Sequence, residues 1–185
     1  MKRLLLITGD LATGKSTFAE ILSQRYNCTA FYKDKIKEIL GDTVGFANRE
    51  ENLKLSRATM EFMMHNFAGI AHTGAGLILE ANFRQSEMER LHSLAAENGY
   101  DVLTLVLRGE VNILYKRFVN RITDENRHPV HLSGFNSFDS FKLYIETSRK
   151  EKTFGRAIEI TADDFSYQKD GDLLSKVDIF MGKGQ

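Results

Sequence analysis

Near the amino terminus, the segment GDLATGKST carries a lysine and a serine behind two spaced glycines. The order G-x-x-x-x-G-K-S is formed by Gly9, Gly14, Lys15 and Ser16. Glycines let the backbone wrap closely around phosphate oxygens, a lysine here can reach the β and γ phosphates, and the serine hydroxyl can bind Mg²⁺. The spacing predicts a Walker A loop that binds a nucleoside triphosphate together with Mg²⁺.

The residues on either side of this loop fit the elements that such a loop requires. Residues 4–7 are four consecutive branched aliphatics, which is typical of a strand buried on both faces, and Phe18, Ile21 and Leu22 follow at helical spacing. The amino terminus of the helix adds amide donors and a favourable dipole. We expect the nucleotide to contact Gly9, Leu11, Ala12, Thr13, Gly14, Lys15, Ser16 and Thr17.

Two carboxylates are placed where a phosphoryl transfer reaction could use them. Ligands of open α/β sheets bind at the carboxyl ends of the strands, and Asp34 follows the second predicted strand while Glu80 lies near the end of the third. Asp34 is either the general base for an acceptor hydroxyl or the N-cap of the helix in DKIKEIL. Glu80 either holds Mg²⁺, as the acid of a Walker B strand does, or forms a structural ion pair.

Several polar and basic side chains could contact an acceptor or the phosphates. Asn82 and Arg84 follow Glu80 closely enough to reach an anionic or polyhydroxylated acceptor, although surface solvation explains Arg84 equally well. Arg117 and Arg121 lie one helical turn apart, with Arg127 in the adjoining loop. This pattern is typical of contacts to phosphate and purine, and a solvated basic face has the same spacing.

Strand-like and helical segments alternate along the rest of the chain. Further strands are predicted at residues 29–32, 77–81, 102–107 and 158–160. Their alternation with helical stretches predicts a parallel sheet between helices. Helices are expected near 48–72 and 86–98, from the capping-box spacings Asn48 with Glu51 and Ser86 with Glu89 and a stop at Asn98-Gly99.

An apolar stripe in the first of these helices has two interpretations. Met60, Met63, Met64 and Phe67 recur at helical spacing. The stripe could form a binding surface, but an ordinary core face is the better prediction.

Composition limits the class of protein. A chain of 185 residues fits one domain, here 1–185. Its 25 basic and 25 acidic residues balance, which disfavours nucleic acid or an anionic membrane as a partner. The single cysteine, Cys28, and the lack of a long apolar segment lead us to expect a cytoplasmic protein with no membrane span. The sequence leaves the oligomeric state open.

Taken in order, several segments resemble one family. GDLATGKST, KDKIKEIL, LILEANF, the helix with Arg117 and Arg121, and NRHPVHLSGF resemble the small P-loop kinases of the predicted-kinase group. These are similar to zeta toxins, chloramphenicol phosphotransferase and the kinase domain of polynucleotide kinase, within the wider nucleoside monophosphate kinase class. The resemblance covers about residues 3–165.

The resemblance implies a P-loop NTPase fold of three layers, α/β/α, with a five-stranded parallel sheet and a helical lid at about 123–136. It implies ATP and Mg²⁺ as cofactors, with Asp34 accepting the proton of the acceptor hydroxyl. Arg117 and Arg121 would contact adenine and phosphates, and Arg127 would complete the charge of the lid. Relatives often carry Asp-x-x-Arg where this chain has Asp34 and Lys37, and aspartate at the position of Glu80.

The expected function is an ATP-dependent kinase that transfers the γ-phosphoryl group to a hydroxyl of a small-molecule acceptor. Catalysis is assigned to Lys15, Asp34, Arg121 and Arg127, acceptor binding to Asp34, Lys37, Glu80, Asn82 and Arg84, and the metal to Ser16 and Glu80. The alternatives are a 5′-hydroxyl nucleic-acid kinase and a non-catalytic nucleotide-binding regulator. The chain has no N-K-x-D sequence of the kind that specifies guanine.

Overall fold

Strands and helices alternate along the chain in the computed structural model, which describes residues 2–123, 127–131, 135 and 137–183. The strands are β1 (Arg3–Gly9), β2 (Thr29–Tyr32), β3 (Leu77–Glu80), β4 (Asp101–Arg108) and β5 (Arg156–Thr161). The α-helices are α1 (Lys15–Tyr26), α2 (Lys33–Val44), α3 (Arg49–Ala71), α4 (Gln85–Glu97), α5 (Val111–Ile122), α6 (Phe138–Ser148) and α7 (Gly171–Met181). Within these described ranges no helix has the length and apolar character needed to cross a membrane.

The five strands form one parallel sheet in the order β2-β3-β1-β4-β5. The aliphatic residues of β1 are fully buried, with Leu4 and Leu6 in one core cluster and Leu5 and Ile7 in the other. A strand in the centre of a parallel sheet is covered on both faces, so both sets of alternating side chains must be apolar. The sheet predicted from the sequence is confirmed.

Helices cover both faces of the sheet, which gives the three predicted α/β/α layers. Helices α3 and α4 pack on one face, where Met60, Met63, Met64 and Phe67 are buried. Helices α1 and α7 pack on the other face, through residues such as Phe18. The methionine stripe of α3 is therefore core, as predicted.

The starts of two helices show where cap spacing predicts well and where it fails. The Asn48 side chain accepts a hydrogen bond from the amide of Glu51 and caps α3. The predicted capping box of Ser86 with Glu89 is wrong, because the N-cap of α4 is Arg84, two residues before Ser86. The Glu87 carboxylate instead accepts from the backbone amide of Arg84, at 2.8 Å.

A third apolar cluster lies beside the loop that follows β1. Phe141 and Ile145 of α6 pack with Leu114 and Phe118 of α5 and with Ala12. The two helices on either side of the predicted lid are thus joined to each other and to the Walker A loop.

Gly9, the last residue of β1, packs directly against the backbone of β4. A side chain there would place its Cβ 2.0 Å from the carbonyl oxygen of Leu107, and the φ of Gly9 is +126°. Both the close approach and this backbone conformation require glycine. Gly9 therefore sets how closely β1 and β4 approach just before the loop begins.

Replacing Gly9 by alanine should lower the free energy of unfolding by roughly 3 kcal/mol, since the new methyl group meets backbone and not a movable side chain. Urea denaturation measures this change. Gly69→Ala is the matched control, because Gly69 lies in α3 with no atom within 4 Å of its Cβ position. That control should gain about 1 kcal/mol. A Gly9→Ala protein as stable as the wild type would contradict the role given to this contact.

Candidate active site

A cleft of about 1130 Å³ opens at the carboxyl ends of β1, β2 and β3. It is lined by the Walker A loop, by the starts of α2 and α3, by α5 and by residues of the predicted lid. Every predicted site residue except Gly9 and Arg84 lines it. The strand ends meet at one edge because the sheet is parallel, which is why side chains distant in sequence converge here.

The Walker A loop is compact and holds Lys15 against its own backbone. The Lys15 ammonium donates to the carbonyl of Asp10 at 2.6 Å and to that of Gly9 at 3.3 Å. The Thr13 hydroxyl also donates to the Asp10 carbonyl, at 2.9 Å. These carbonyls are the neutral partners that an anionic phosphate would replace.

Ser16 and Glu80 face each other across the floor of the cleft. The Ser16 hydroxyl donates to the Glu80 carboxylate at 2.9 Å, and the register of the sheet pairs Glu80 with Ile7 of β1. A hydroxyl and a carboxylate are ligands that suit Mg²⁺. In the part of the chain that the structure describes, no group of three or more His, Cys, Asp and Glu residues could hold a metal. Nucleotide phosphates would have to complete the coordination.

Lys15 and Glu80 are two buried ionisable groups of opposite charge that lie close enough to influence each other's pKa. Their exposed fractions are 8% and 4%. Burial lowers the pKa of Lys15, and the nearby charges of Glu80 and Asp34 oppose that shift. Burial raises the pKa of Glu80, and Lys15 opposes it. Each group makes the ionised form of the other less costly.

Asp34 lines the cleft and is not a helix cap. Helix α2 begins at Lys33, and its N-cap is Tyr32, whose side chain makes no capping hydrogen bond. The interpretation of Asp34 as the N-cap is therefore wrong. As the second residue of α2 its carboxylate has a favourable position in the helix dipole. It is also close enough to Lys15 and Glu80 to influence the pKa of both.

Arg117 is fixed to the chain that follows β5. Its guanidinium donates to the carbonyls of Ala162, at 2.7 Å, and Asp163. It also lies over the ring of Phe165, with 4.4 Å between the guanidinium carbon and the ring centroid. The arginine and the ring together border the end of the cleft beside Gly14.

Arg121 and Arg127 bring positive charge to the middle of the cleft. Arg121 influences the pKa values of both Lys15 and Glu80. Burial lowers the pKa of Arg127, and the neighbouring Arg121 lowers it further. The buried Nε of Arg127 has no hydrogen-bond partner among the residues described. Two close cations of this kind are suited to bind an anion.

The described part of the predicted lid contacts α2 and α3. Lys37 donates to the side chain of Asn52 at 2.5 Å and to the carbonyl of Val130 at 3.2 Å. His128 and His131 lie 2.9 Å and 2.7 Å from carboxylate oxygens of Asp42 and Glu38. These contacts hold the described lid residues against the side of the cleft formed by α2 and α3. Residues 124–126, 132–134 and 136 of the predicted lid lie outside the described residues.

Of the predicted contacts Asn82, Arg84 and Gly9, only Asn82 lines the main cleft. Asn82 lines the cleft, and its buried Oδ1 has no hydrogen-bond partner in the ranges described. Arg84 does not reach the cleft, since it pairs with Glu151 at 3.0 Å and lines a smaller cavity of about 70 Å³ with Gly9. Arg84 is therefore not placed as an acceptor contact, because its guanidinium pairs with the Glu151 carboxylate away from the main cleft.

Sequence reasoning missed several residues that support or line the site. The Tyr167 hydroxyl donates to the carbonyl of Thr13 at 2.8 Å, and Arg149 binds the carboxylate of Asp10. Their partners are more than 100 residues away in the chain, so no local pattern indicates them. Further lining residues are Phe46, Asn48, Arg49, Asn52, Leu53, Tyr144 and Phe165.

Comparison with known proteins gives a likeness of fold. No family model matches this chain, and a search of the curated proteins finds no match. Among solved structures, a protein of Chloroflexus aurantiacus classed provisionally as a kinase has a TM-score of 0.83 at 24% identity, covering 99% of this chain and 98% of that one.

Two further structures are similar over nearly their full length. A gluconokinase from Sinorhizobium meliloti has a TM-score of 0.62 at 11% identity and covers 100% of this chain and 98% of its own. A shikimate kinase from Aquifex aeolicus has a TM-score of 0.61 at 12% identity, with 98% and 99% covered. The chain therefore has the fold of P-loop kinases, as expected from its sequence.

Glu80→Gln should raise the melting temperature near neutral pH, because burial raises the pKa of the Glu80 carboxyl and so disfavours the ionised form that the unfolded chain has at that pH. A group whose pKa is raised by folding contributes stability below its ordinary value, 4.5 for Glu80, and loses it as the pH rises. The advantage of glutamine should therefore shrink as the pH falls toward 4.5. Thermal melts of the wild type and the variant between neutral pH and pH 4.5 measure the difference in melting temperature. A variant that is less stable than the wild type by the same amount at both pH values would contradict the prediction.

Proposed function

We propose that this protein is an ATP-dependent kinase that phosphorylates a hydroxyl group of a small-molecule acceptor. The observation that carries the proposal is the convergence, in one cleft, of a Walker A lysine, a Ser16–Glu80 pair and the carboxylate of Asp34. A kinase requires a phosphate-binding cation, a metal site and a base within reach of one another. The fold shared with P-loop kinases supports the same conclusion.

In the proposed reaction the acceptor oxygen attacks the γ phosphorus of ATP, and the bond between that phosphorus and the β–γ bridging oxygen breaks to release ADP. Asp34 accepts the proton of the acceptor hydroxyl. Lys15, Arg121 and Arg127 stabilise the negative charge on the transferring group. Mg²⁺, when held by Ser16 and Glu80, would neutralise charge on the β and γ phosphates.

The ends of the cleft suggest how the two substrates are arranged. Phe165 and Arg117 border one end and offer an aromatic face and a flat cation, which suit a purine base. Asp34, Lys37 and Asn82 line the rest of the cleft and offer hydrogen bonds to an acceptor. We therefore place the nucleotide from Phe165 to Lys15 and the acceptor beyond it.

A small acceptor is favoured over a nucleic-acid end by the contacts between lid and α2. Lys37 and Asn52 both donate to the carbonyl of Val130, and His131 pairs with Glu38. These contacts restrict the acceptor side, whereas a polynucleotide needs an open groove. The balance of 25 basic and 25 acidic residues also disfavours a polyanionic partner. Neighbours named gluconokinase and shikimate kinase support a small acceptor.

Lys15→Ala should reduce phosphoryl transfer by roughly 100- to 1000-fold, because a preorganised cation is removed from the transferring phosphate. The wild type and the variant should be incubated with labelled ATP, Mg²⁺ and a panel of sugars, nucleosides, antibiotics and 5′-hydroxyl oligonucleotides. Lys54→Ala, at an exposed lysine of α3 that pairs with Glu50 outside the cleft, is the control. A folded Lys15→Ala protein with normal turnover would refute the proposal, and transfer only to oligonucleotides would refute the small-molecule acceptor.

Asp34→Asn should slow transfer by about 100- to 10,000-fold, since an amide cannot accept the proton. ATP affinity should stay unchanged, and stability should fall by less than about 1 kcal/mol. Asp172→Asn is the matched control, because Asp172 is likewise the second residue of its helix, α7, and lies outside the cleft. Turnover with the acceptor found in the panel, nucleotide titration and thermal melts measure the three quantities. Equal turnover in the two variants would leave Asp34 without the role of base.

A further inference from the structure

An ion pair between the buried Asp10 carboxylate and the partly exposed Arg149 lies beside the Walker A loop, outside the lining of the main cleft. The Asp10 side chain is 3% exposed, and Arg149 donates to its Oδ2 from Nε at 3.1 Å and from a terminal nitrogen at 2.5 Å. The amide of Gly109 also donates to Oδ2, at 3.2 Å. A carboxylate removed from water is stable only with such partners, so the position of Asp10 depends on Arg149.

The backbone of Asp10 is hydrogen-bonded to residues of the phosphate-binding loop, so the contact with Arg149 also restricts the position of that loop. Its carbonyl oxygen accepts hydrogen bonds from Lys15 and Thr13, and its amide donates to the carbonyl of Leu107 at 2.8 Å. One residue thus binds Arg149 with its side chain and orients Lys15 with its backbone. A shift of Asp10 would move the groups that face the phosphates.

Arg149 comes from the helix that returns from the lid. It is the C-cap of α6, and the body of α6 packs on α5 and on Ala12 through Phe141 and Ile145. The guanidinium also donates to the carbonyl of Gly109 at 2.5 Å, which holds it to the end of β4. Arg149 is absent from the lining of the main cleft, and Asp10 is the residue of the Walker A loop that its guanidinium binds.

We infer that Arg149 is a positioning residue for phosphoryl transfer, which fixes the conformation of the Walker A loop through the carboxylate of Asp10. The inference rests on the proposed function, because it requires that the loop bind ATP. A positioning role and a purely stabilising role for Arg149 predict different experimental results. Loss of the Arg149 geometry should alter the affinity for ATP and the exchange of the loop amides, and not only the melting temperature.

The test compares Arg149→Lys with Arg25→Lys. Lysine keeps a positive charge near Asp10, so the fold is retained, but it lacks the planar fork that binds Asp10 and Gly109 together. Arg25 is the control because it also donates two hydrogen bonds to one carboxylate, from Nε to Asp178 Oδ1 at 2.8 Å and from Nη2 to Asp178 Oδ2 at 2.5 Å. Neither Arg25 nor Asp178 lines the main cleft. Binding of ATP with Mg²⁺ is measured by calorimetry, and exchange of the amides of residues 11–15 is measured by mass spectrometry.

We expect Arg149→Lys to bind ATP about 10-fold more weakly than the wild type and to exchange its loop amides faster, because charge-assisted hydrogen bonds are lost. Arg25→Lys should match the wild type in both measurements. A double variant, Asp10→Asn with Arg149→Gln, replaces the ion pair by two neutral amides. It provides a second measurement, with the same expected direction, should the single variant not fold.

The outcomes separate the inference from the proposed function. A wild-type protein that binds no ATP would overturn the proposed function and the inference with it. A wild type that binds ATP, together with folded Arg149 variants that bind equally well and exchange at the same rate, would overturn only the positioning role. A lower melting temperature of the Arg149 variants with unchanged affinity for ATP would also overturn the positioning role, since that result is expected of a residue that only stabilises the fold.

Discussion

Two opposite charges share a nearly dry site at the carboxyl edge of the sheet, and the rest of the site depends on keeping them together. Lys15 comes from the loop after β1 and Glu80 from the end of β3. Burial disfavours the charged form of both groups, each charge partly offsets that penalty for the other, and hydrogen bonds to the Asp10 carbonyl and the Ser16 hydroxyl hold the two side chains in place. The two groups come close enough to influence each other because β1 and β3 are neighbours in the register that sets Ile7 beside Glu80. The order of the strands is thus a requirement of the chemistry as well as of the fold.

The parts of the structure that follow from short-range patterns could be predicted from the sequence. The Walker A loop, the apolar strands and the methionine face of α3 are each encoded within a few residues of one another. The cap of α3 is also encoded locally, but the exact starts of α2 and α4 are not. Tyr32 precedes α2 with φ −112° and ψ 111°, so the helix begins directly from the strand and Asp34 falls inside it. Here the backbone of β2 decides where the helix starts, and the residue type of Asp34 does not.

The supports of the site could not be predicted, because their partners are distant in the chain or are backbone groups. Arg149 and Asp10 are 139 residues apart, and Arg117 binds carbonyls, which any residue could supply. One signal was present in the sequence. An acidic residue at position 10, inside a loop that should attract phosphate, is unfavourable unless a cation neutralises it. That conflict indicates a basic partner without identifying which one.

The chain after β5 is joined to the phosphate-binding loop by direct packing. A Cβ at Gly14 would lie 2.9 Å from both the ring of Phe165 and the hydroxyl of Tyr167. The wall that would recognise the base and the loop that would hold the phosphates therefore form a single structural unit. Selection for a different nucleotide could not reshape Phe165 freely, because Gly14 would move with it. The opposite side of the cleft is free of this particular constraint, since the three atoms nearest to a Cβ at Gly14 come from Phe165 and Tyr167 and none comes from α2 or α3.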